Sequence, residues 1–185
     1  MRKDFGSKPW FYPMPVLVIA TYGADGAPDA MTAAWGGLYG ADMVELCLSA
    51  GHKTYGNIKE RGAFTVSFAD RAHLREADYL GLVSAHDEPD KLGKAGLTAV
   101  KSAFVDAPVI AELPVALECE LAKFTDDGNV IGRIVNISAD ESVLADGGKP
   151  DVAKIAPISY DGVRNEYFVM GEKEGSAFHD GAGLK

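Results

Sequence analysis

Cysteine is scarce in this chain: Cys47 and Cys119 are the two thiols in 185 residues, with no CxxC pair and no metal-ligand spacing. That excludes a disulfide framework and a cysteine zinc site. Both residues lie in apolar, strand-like runs, where a buried reduced thiol is the expected state. Histidine is equally sparse: His52, His73, His86 and His179 are scattered, and none has a partner at metal-ligand spacing. His52 belongs to a turn discussed below, His73 and His86 to a surface helix and loop, and His179 to the tail. No run approaches the ~20 apolar residues of a membrane span, and there is no internal repeat or low-complexity segment. The opening Met1-Arg2-Lys3-Asp4-Phe5-Gly6 has no apolar stretch of signal-peptide type, so a cytoplasmic protein is expected. Basic excess is missing as well. Eighteen Lys and Arg against 27 Asp and Glu give a formal net charge of -9 and a pI near 4.9, which argues against a nucleic-acid surface. One local basic site for a small anion remains compatible with that balance. Nor is there a Ser-His-Asp or paired-carboxylate signature, so no side chain stands out as acid, base or nucleophile.

What is present is a globular composition, 47% hydrophobic and 24% charged, expected to form a single domain over residues 1–185. Residues 16–22 are rich in β-branched residues and end at Gly23-Ala24-Asp25-Gly26, a hairpin signal. Residues 28–38 return as one strand, and 43–49 form a third. A short helix over 55–61 closes at Gly62, and 63–68 alternates Phe64, Val66 and Phe68 on one face. Asp70 reads as the N-cap of a helix over 71–80, and Pro89-Asp90 opens a further turn around Lys91. Residues 93–108 read as loop. Residues 115–124 and 130–139 flank a turn as a long antiparallel hairpin, 158–160 and 166–170 supply closing strands, and 176–185 read as a frayed tail. Strands joined by hairpins, with short helices in a few connections, predict an antiparallel barrel with helical insertions.

Two segments can carry chemistry. In Leu46-Cys47-Leu48-Ser49-Ala50-Gly51-His52-Lys53-Thr54-Tyr55 an apolar strand meets a polar turn, and Lys-Thr opens a helix. A helix start offers unpaired N–H groups and the positive end of a dipole, which suit a phosphate. Lys53 adds a charge, and the Thr54 hydroxyl can cap the helix or donate to a phosphate oxygen. By itself the segment reads more readily as a capped corner with a solvated lysine. In the second, Ala30-Met31-Thr32-Ala33-Ala34-Trp35-Gly36-Gly37, small residues leave the backbone uncovered. A flat heteroaromatic ring can lie there against main-chain N–H groups and the Thr32 hydroxyl, walled by Trp35. Tight packing with Trp35 in the core fits the same residues. On consecutive strands the two segments are expected to be sheet neighbours, one suited to a ring and the other to a phosphate. That pairing has the shape of a mononucleotide such as FMN.

Ordered landmarks extend this reading. Pro13-Met14-Pro15-Val16 is followed by Met31-Thr32-Ala33-Ala34-Trp35, then Ser49-Ala50-Gly51-His52-Lys53-Thr54 with Asn57-Ile58. Ala77-Asp78-Tyr79-Leu80-Gly81-Leu82-Val83-Ser84, Asp90-Lys91-Leu92 and Ala95-Gly96-Leu97-Thr98 come next. Leu117-Glu118-Cys119 and Ile131-Gly132-Arg133-Ile134-Val135 complete the set. With these the chain resembles the flavin reductase-like, FMN-binding split β-barrel family, in its flavoredoxin branch, over a core of about 13–171. The resemblance implies a mainly β, antiparallel split barrel of Greek-key type with short helical insertions. It implies that Thr32, Ala33, Ala34 and Trp35 meet the isoalloxazine ring largely through backbone. Ser49, Ala50 and His52 would wrap the ribityl chain, with Lys53 and Thr54 at the phosphate. Lys91 would stand near the flavin, where a cation stabilises the negative charge of the reduced ring. Many members carry a histidine on the nicotinamide side, and this chain has Asn129 there, which hydrogen-bonds but cannot be a charged proton donor near neutral pH.

The expected function is that of an FMN-binding oxidoreductase of flavin reductase type, with non-covalent FMN reduced by NAD(P)H or a protein donor. The alternatives are a flavoredoxin-type electron carrier with a redox protein partner, and a non-catalytic barrel binding FMN or another phosphorylated ligand. The resemblance also implies a homodimer with FMN near the interface. The apolar start Pro9-Trp10-Phe11-Tyr12-Pro13 is expected to pack on its own barrel or on a partner subunit.

Overall fold

The computed structural model describes residues 1–184, and Lys185, the last residue of the expected tail, lies outside them. The chain runs β1 (Met14–Pro15), β2 (Leu17–Tyr22), β3 (Pro28–Ala33), β4 (Gly36–Leu38), β5 (Met43–Leu46), α1 (Lys53–Arg61) and β6 (Ala63–Phe68). It continues with α2 (Leu74–Leu82), α3 (Lys91–Ala95), β7 (Ala99–Lys101), β8 (Pro108–Ile110), β9 (Val115–Phe124) and β10 (Val130–Ala139). It ends with α4 (Val152–Ile155), β11 (Ile158–Asp161) and β12 (Glu166–Val169). Seven strands form one antiparallel sheet in the order β3-β2-β6-β9-β10-β5-β4.

That order requires closure. β3 and β4 are opposite edges, and in a flat sheet six strand spacings would hold them roughly 29 Å apart. Ala34 and Trp35 alone join Ala33 to Gly36, and three steps of extended chain reach only about 11 Å. The sheet therefore curls until its edges meet, giving the mainly β split barrel. The return strand expected over 28–38 is accordingly two strands, broken where the chain crosses from one edge to the other.

Both faces of β2 are covered, which is why its sequence is a continuous apolar run rather than an alternation. Leu17 and Ile19 pack inward with Leu46, Ile58, Phe64, Leu117 and Val130. Val18 and Ala20 pack outward with Ala77 and Leu80 of α2, Leu92 of α3, and Ile158. Each such aliphatic side chain, fully buried, stabilises the fold by about 1.5–3 kcal/mol. Where β10 passes Phe64, only glycine fits: a Cβ on Gly132 would stand 2.3 Å from the ring's Cζ.

Several expectations are corrected. α1 begins at Lys53 rather than two residues later, with His52 in the N-cap place, while Gly62 closes it at φ 69° as expected. α2 starts at Leu74, after a turn in which Asp70 Oδ1 accepts from the His73 backbone N–H at 2.8 Å and lies 2.9 Å from its Nδ1. The span read as loop contains β7 paired with β8. The tail closes with a short 3-10 turn over Asp180–Leu184. Cys47 is exposed, not buried: strand parity puts it with Glu45, opposite the buried Val44, Leu46 and Leu48. Cys119 is buried.

Candidate functional site

The site begins at the start of α1. The turn before it is closed by the His52 backbone N–H donating to the Ser49 carbonyl at 3.0 Å and the Gly51 N–H to Ser49 Oγ at 3.5 Å. His52 makes no side-chain cap, and the first turn of α1 has no acidic residue. The positive end of the helix is thus left for an external anion. Lys53 is half-buried beside this end and makes no ion pair among the described residues. Its ammonium lies toward the β2–β3 turn, 3.7 Å from where a Cβ on Gly23 would stand.

Beneath the helix start lies a buried polar network centred on Asp29, which is 2% exposed. Thr54 Oγ1 donates to Asp29 Oδ2 at 2.6 Å, and Asn57 Nδ2 reaches Thr21 Oγ1 at 3.0 Å and Asp29 Oδ2 at 3.4 Å. Lys91, only 3% exposed, brings its ammonium 3.4 Å from Asp29 Oδ1 and donates to the Val83 carbonyl at 3.2 Å. Asp29 Oδ1 receives no aligned hydrogen bond, so this contact is a charge pair and not a hydrogen-bonded one. Burial of two charges is tolerated because each is the other's counter-ion. Lys91 is therefore a buried cation rather than a solvated helix lysine.

Eight of the sequence-expected residues, Thr32, Ala33, Ala34, Trp35, His52, Lys53, Thr54 and Lys91, line a trough. Thr32, His52, Lys53, Thr54, Gly81 and Lys91 line a cleft of about 210 Å³. Thr32 and Gly81 are shared with a second cleft of about 330 Å³, whose walls include Ala33, Ala34, Tyr160 and Tyr167. Ala34 is shared in turn with a third of about 530 Å³, lined by Trp35, Glu45, Cys47, Trp10 and Phe11. Residues 32–35 thus run beside three neighbouring clefts that share wall residues, with the α1 start at one end. The two segments are sheet neighbours as expected where Gly36 of β4 pairs with Leu46 of β5 and the Cys47 N–H donates to the Trp35 carbonyl at 2.9 Å. Thr32 and Ala33 lie on the opposite edge strand, from which Asp29 reaches Thr54.

Other placements differ from the sequence reading. The Thr32 hydroxyl donates to the Ala77 carbonyl of α2 at 2.5 Å, so at this position the backbone is what a ring would meet. The Thr54 hydroxyl is committed to Asp29, which leaves its backbone N–H for an anion. Trp35 is 55% exposed and is no core residue. Ser49 and Ala50 are exposed in the turn and line none of the three clefts. Asn129 stands off the trough and donates from Nδ2 to Glu45 Oε1 at 2.9 Å. Tyr167 donates to Asp78 Oδ1 at 2.7 Å; burial first, then that hydrogen bond, push its phenol up to about 12.

Asp29 is the residue that sequence reasoning missed. It was taken as part of a hairpin's return, yet the register sets it opposite Thr21, and Asn57 lies one helical turn from Thr54. A carboxylate facing a threonine inside an apolar strand pair was the available signal.

A family model described as a flavin reductase-like domain matches residues 10–154. A flavoredoxin of Desulfovibrio vulgaris (Miyazaki F) superimposes with a TM-score of 0.95 at 39% identity, covering 98% of this chain and 100% of that one. A flavoredoxin from Methanosarcina acetivorans gives 0.90 at 26% identity, with 100% of both chains covered. A protein of Aeropyrum pernix (strain K1) is 31% identical over 121 residues, 64% of this chain and 45% of that protein. The chain thus spans less than half the length of that relative.

Proposed function

The chain belongs to the flavin reductase-like family, and on that premise we propose that it holds FMN non-covalently in the trough and transfers electrons through it. The observation that carries this reading is the uncapped start of α1, with Lys53 beside it, at the end of a groove that follows residues 32–35. In this arrangement the first-turn N–H groups and Lys53 hold the phosphate, and His52 flanks the ribityl chain, with Ser49 and Ala50 shaping the turn outside the clefts. Thr32, Ala33, Ala34 and Trp35 offer the ring their backbone. Bound FMN supplies the capacity to accept and give up electrons. Lys91 provides a fixed positive charge in a water-poor setting, which favours a negative charge developing on a neighbouring ring. Asp29 keeps that charge tolerable in the interior and anchors α1 through Thr54.

The electron source in this proposal is NAD(P)H, as in an oxidoreductase of flavin reductase type, or a protein donor. The similarity to flavoredoxins across both whole chains supports a second reading, a carrier passing electrons between proteins without releasing its flavin. Asn129 favours the same side, since it offers no charged proton donor. We also propose that two copies associate with the flavin near their interface, a reading supported by the exposed Phe5 and Tyr12 of the N-terminal arm. Anaerobic mixing of the FMN-loaded protein with NADH and NADPH separately tests the choice. Rapid bleaching by either nucleotide supports a reductase, and bleaching only with a redox protein supports the carrier.

A further inference from the structure

The far end of the trough has a carboxylate and a thiol that flavin binding at α1 does not call on. Glu45 and Cys47 are two residues apart on extended chain, so both project to the same side. Both line the third cleft, of about 530 Å³, whose remaining walls are mainly apolar and aromatic. Two charged side chains line it, Glu45 and Lys8. Lys8 sits on the exposed arm, whereas Glu45 is half-buried on a strand paired on both sides, opposite Gly37 and Ile131. Asn129 Nδ2 donates to Glu45 Oε1 at 2.9 Å. Asn129 is itself fixed, its N–H donating to Thr125 Oγ1 and its carbonyl accepting from the Thr125 N–H, both at 2.9 Å. Among the described residues Glu45 makes no ion pair, so its charge is directed into the cleft without a fixed counter-ion.

We propose that Glu45, fixed by Asn129, sets the charge selectivity of this cleft, admitting a planar aromatic molecule that carries a positive charge or an amide N–H donor and turning away aromatic carboxylates. A carboxylate between apolar walls acts through little water, which strengthens both its attraction for a cation and its repulsion of an anion. Trp10 and Trp35 add faces on which a flat cation stacks favourably. The reach of the carboxylate shows at Cys47, whose thiol is pushed up by partial desolvation and, after it, by Glu45. Asn129 is a positioning residue here, and Glu45 the one that meets the ligand. The inference rests on the flavin reading in one respect, that the molecule admitted is the flavin's reaction partner.

The test uses Cys47 as its reporter, since Cys119 is buried. The full-length protein is alkylated with neutral iodoacetamide while benzamidinium or benzoate, two probes of one shape and opposite charge, protects the thiol. Benzamidinium is expected to protect at a concentration about tenfold below benzoate, as one charge-assisted contact would give. In Glu45→Gln that ratio falls toward one, and in Asn129→Ala it is intermediate; thermal melts check that both variants are folded. Equal protection by the two probes in the wild type, an unchanged ratio in Glu45→Gln, or no protection by either would overturn the proposal. FMN titration of the same samples separates the two readings: failure to bind FMN removes the flavin assignment while the protection ratio stays readable.

Discussion

Asp29 carries more of the candidate site than any residue that touches the trough directly. Its carboxylate holds Thr54, which seats α1, and balances Lys91, which lines the same cleft as Thr32 and Thr54. Removing it with Asp29→Ala leaves a buried ammonium without a counter-ion, a change that typically costs about 3–5 kcal/mol. Urea unfolding should show that loss, and a second change, Lys91→Met, should recover much of it. A single variant as stable as the wild type would mean that the pair is not formed. Two other groups, the buried Cys119 and the half-buried Tyr167, set an alkaline limit. Burial, and after it Glu118, push the Cys119 thiol from 9.0 to about 12, and burial with the Asp78 hydrogen bond pushes Tyr167 from 10.0 to about 12. Above the ordinary values the unfolded chain gives up protons that the folded chain keeps. Stability should therefore fall as pH rises from 9.0 to about 12. Cys119→Ala and Tyr167→Phe should each make that decline shallower in unfolding curves recorded across the range.

At the level of elements, α1 trades stability for binding. His52 has the extended backbone of an N-cap, φ -72° and ψ 137°, but gives the helix no side-chain acceptor. His52→Asp supplies one and adds a negative charge at the positive helix end, for a gain of about 1 kcal/mol. The melting temperature should rise while FMN binding weakens and riboflavin binding holds, because the new carboxylate competes for the N–H groups assigned to the phosphate. A higher melting temperature with unchanged FMN affinity would count against that assignment. Element ends were legible where the signal is local. The turn between β9 and β10 is marked by Asp126, Asp127 and Gly128, and both strands fall on the expected bounds, just as Gly62 closes α1. Where position is decided by distant partners the reading failed. Nothing local marks Ala34-Trp35 as a crossing between sheet edges, or Ala99–Lys101 as a partner of Pro108–Ile110. The exposure of Cys47 was recoverable from strand parity alone.

For the whole molecule, the barrel's closure makes the site. Thr32 and Ala33 lie on one edge strand of a seven-stranded sheet and Gly36 follows on the other, beside the strand that leads to the Lys53-Thr54 corner, so the cleft they share forms only once the edges meet. Sequence reasoning placed Thr32, His52, Lys53, Thr54 and Lys91 in one site, and they do line one cleft. Their side-chain roles were not legible, because the Thr32 and Thr54 hydroxyls are taken by Ala77 and Asp29, partners 45 and 25 residues away. The central claim is that the α1 start and Lys53 hold the phosphate of FMN. Equilibrium titration of the flavin-free protein with FMN and with riboflavin, in the wild type and in Lys53→Ala, tests it most directly. The variant should bind FMN about tenfold or more weakly, as loss of a charge-assisted contact predicts, with riboflavin little changed. Equal losses for both flavins, or no binding of FMN by the wild type, would contradict it.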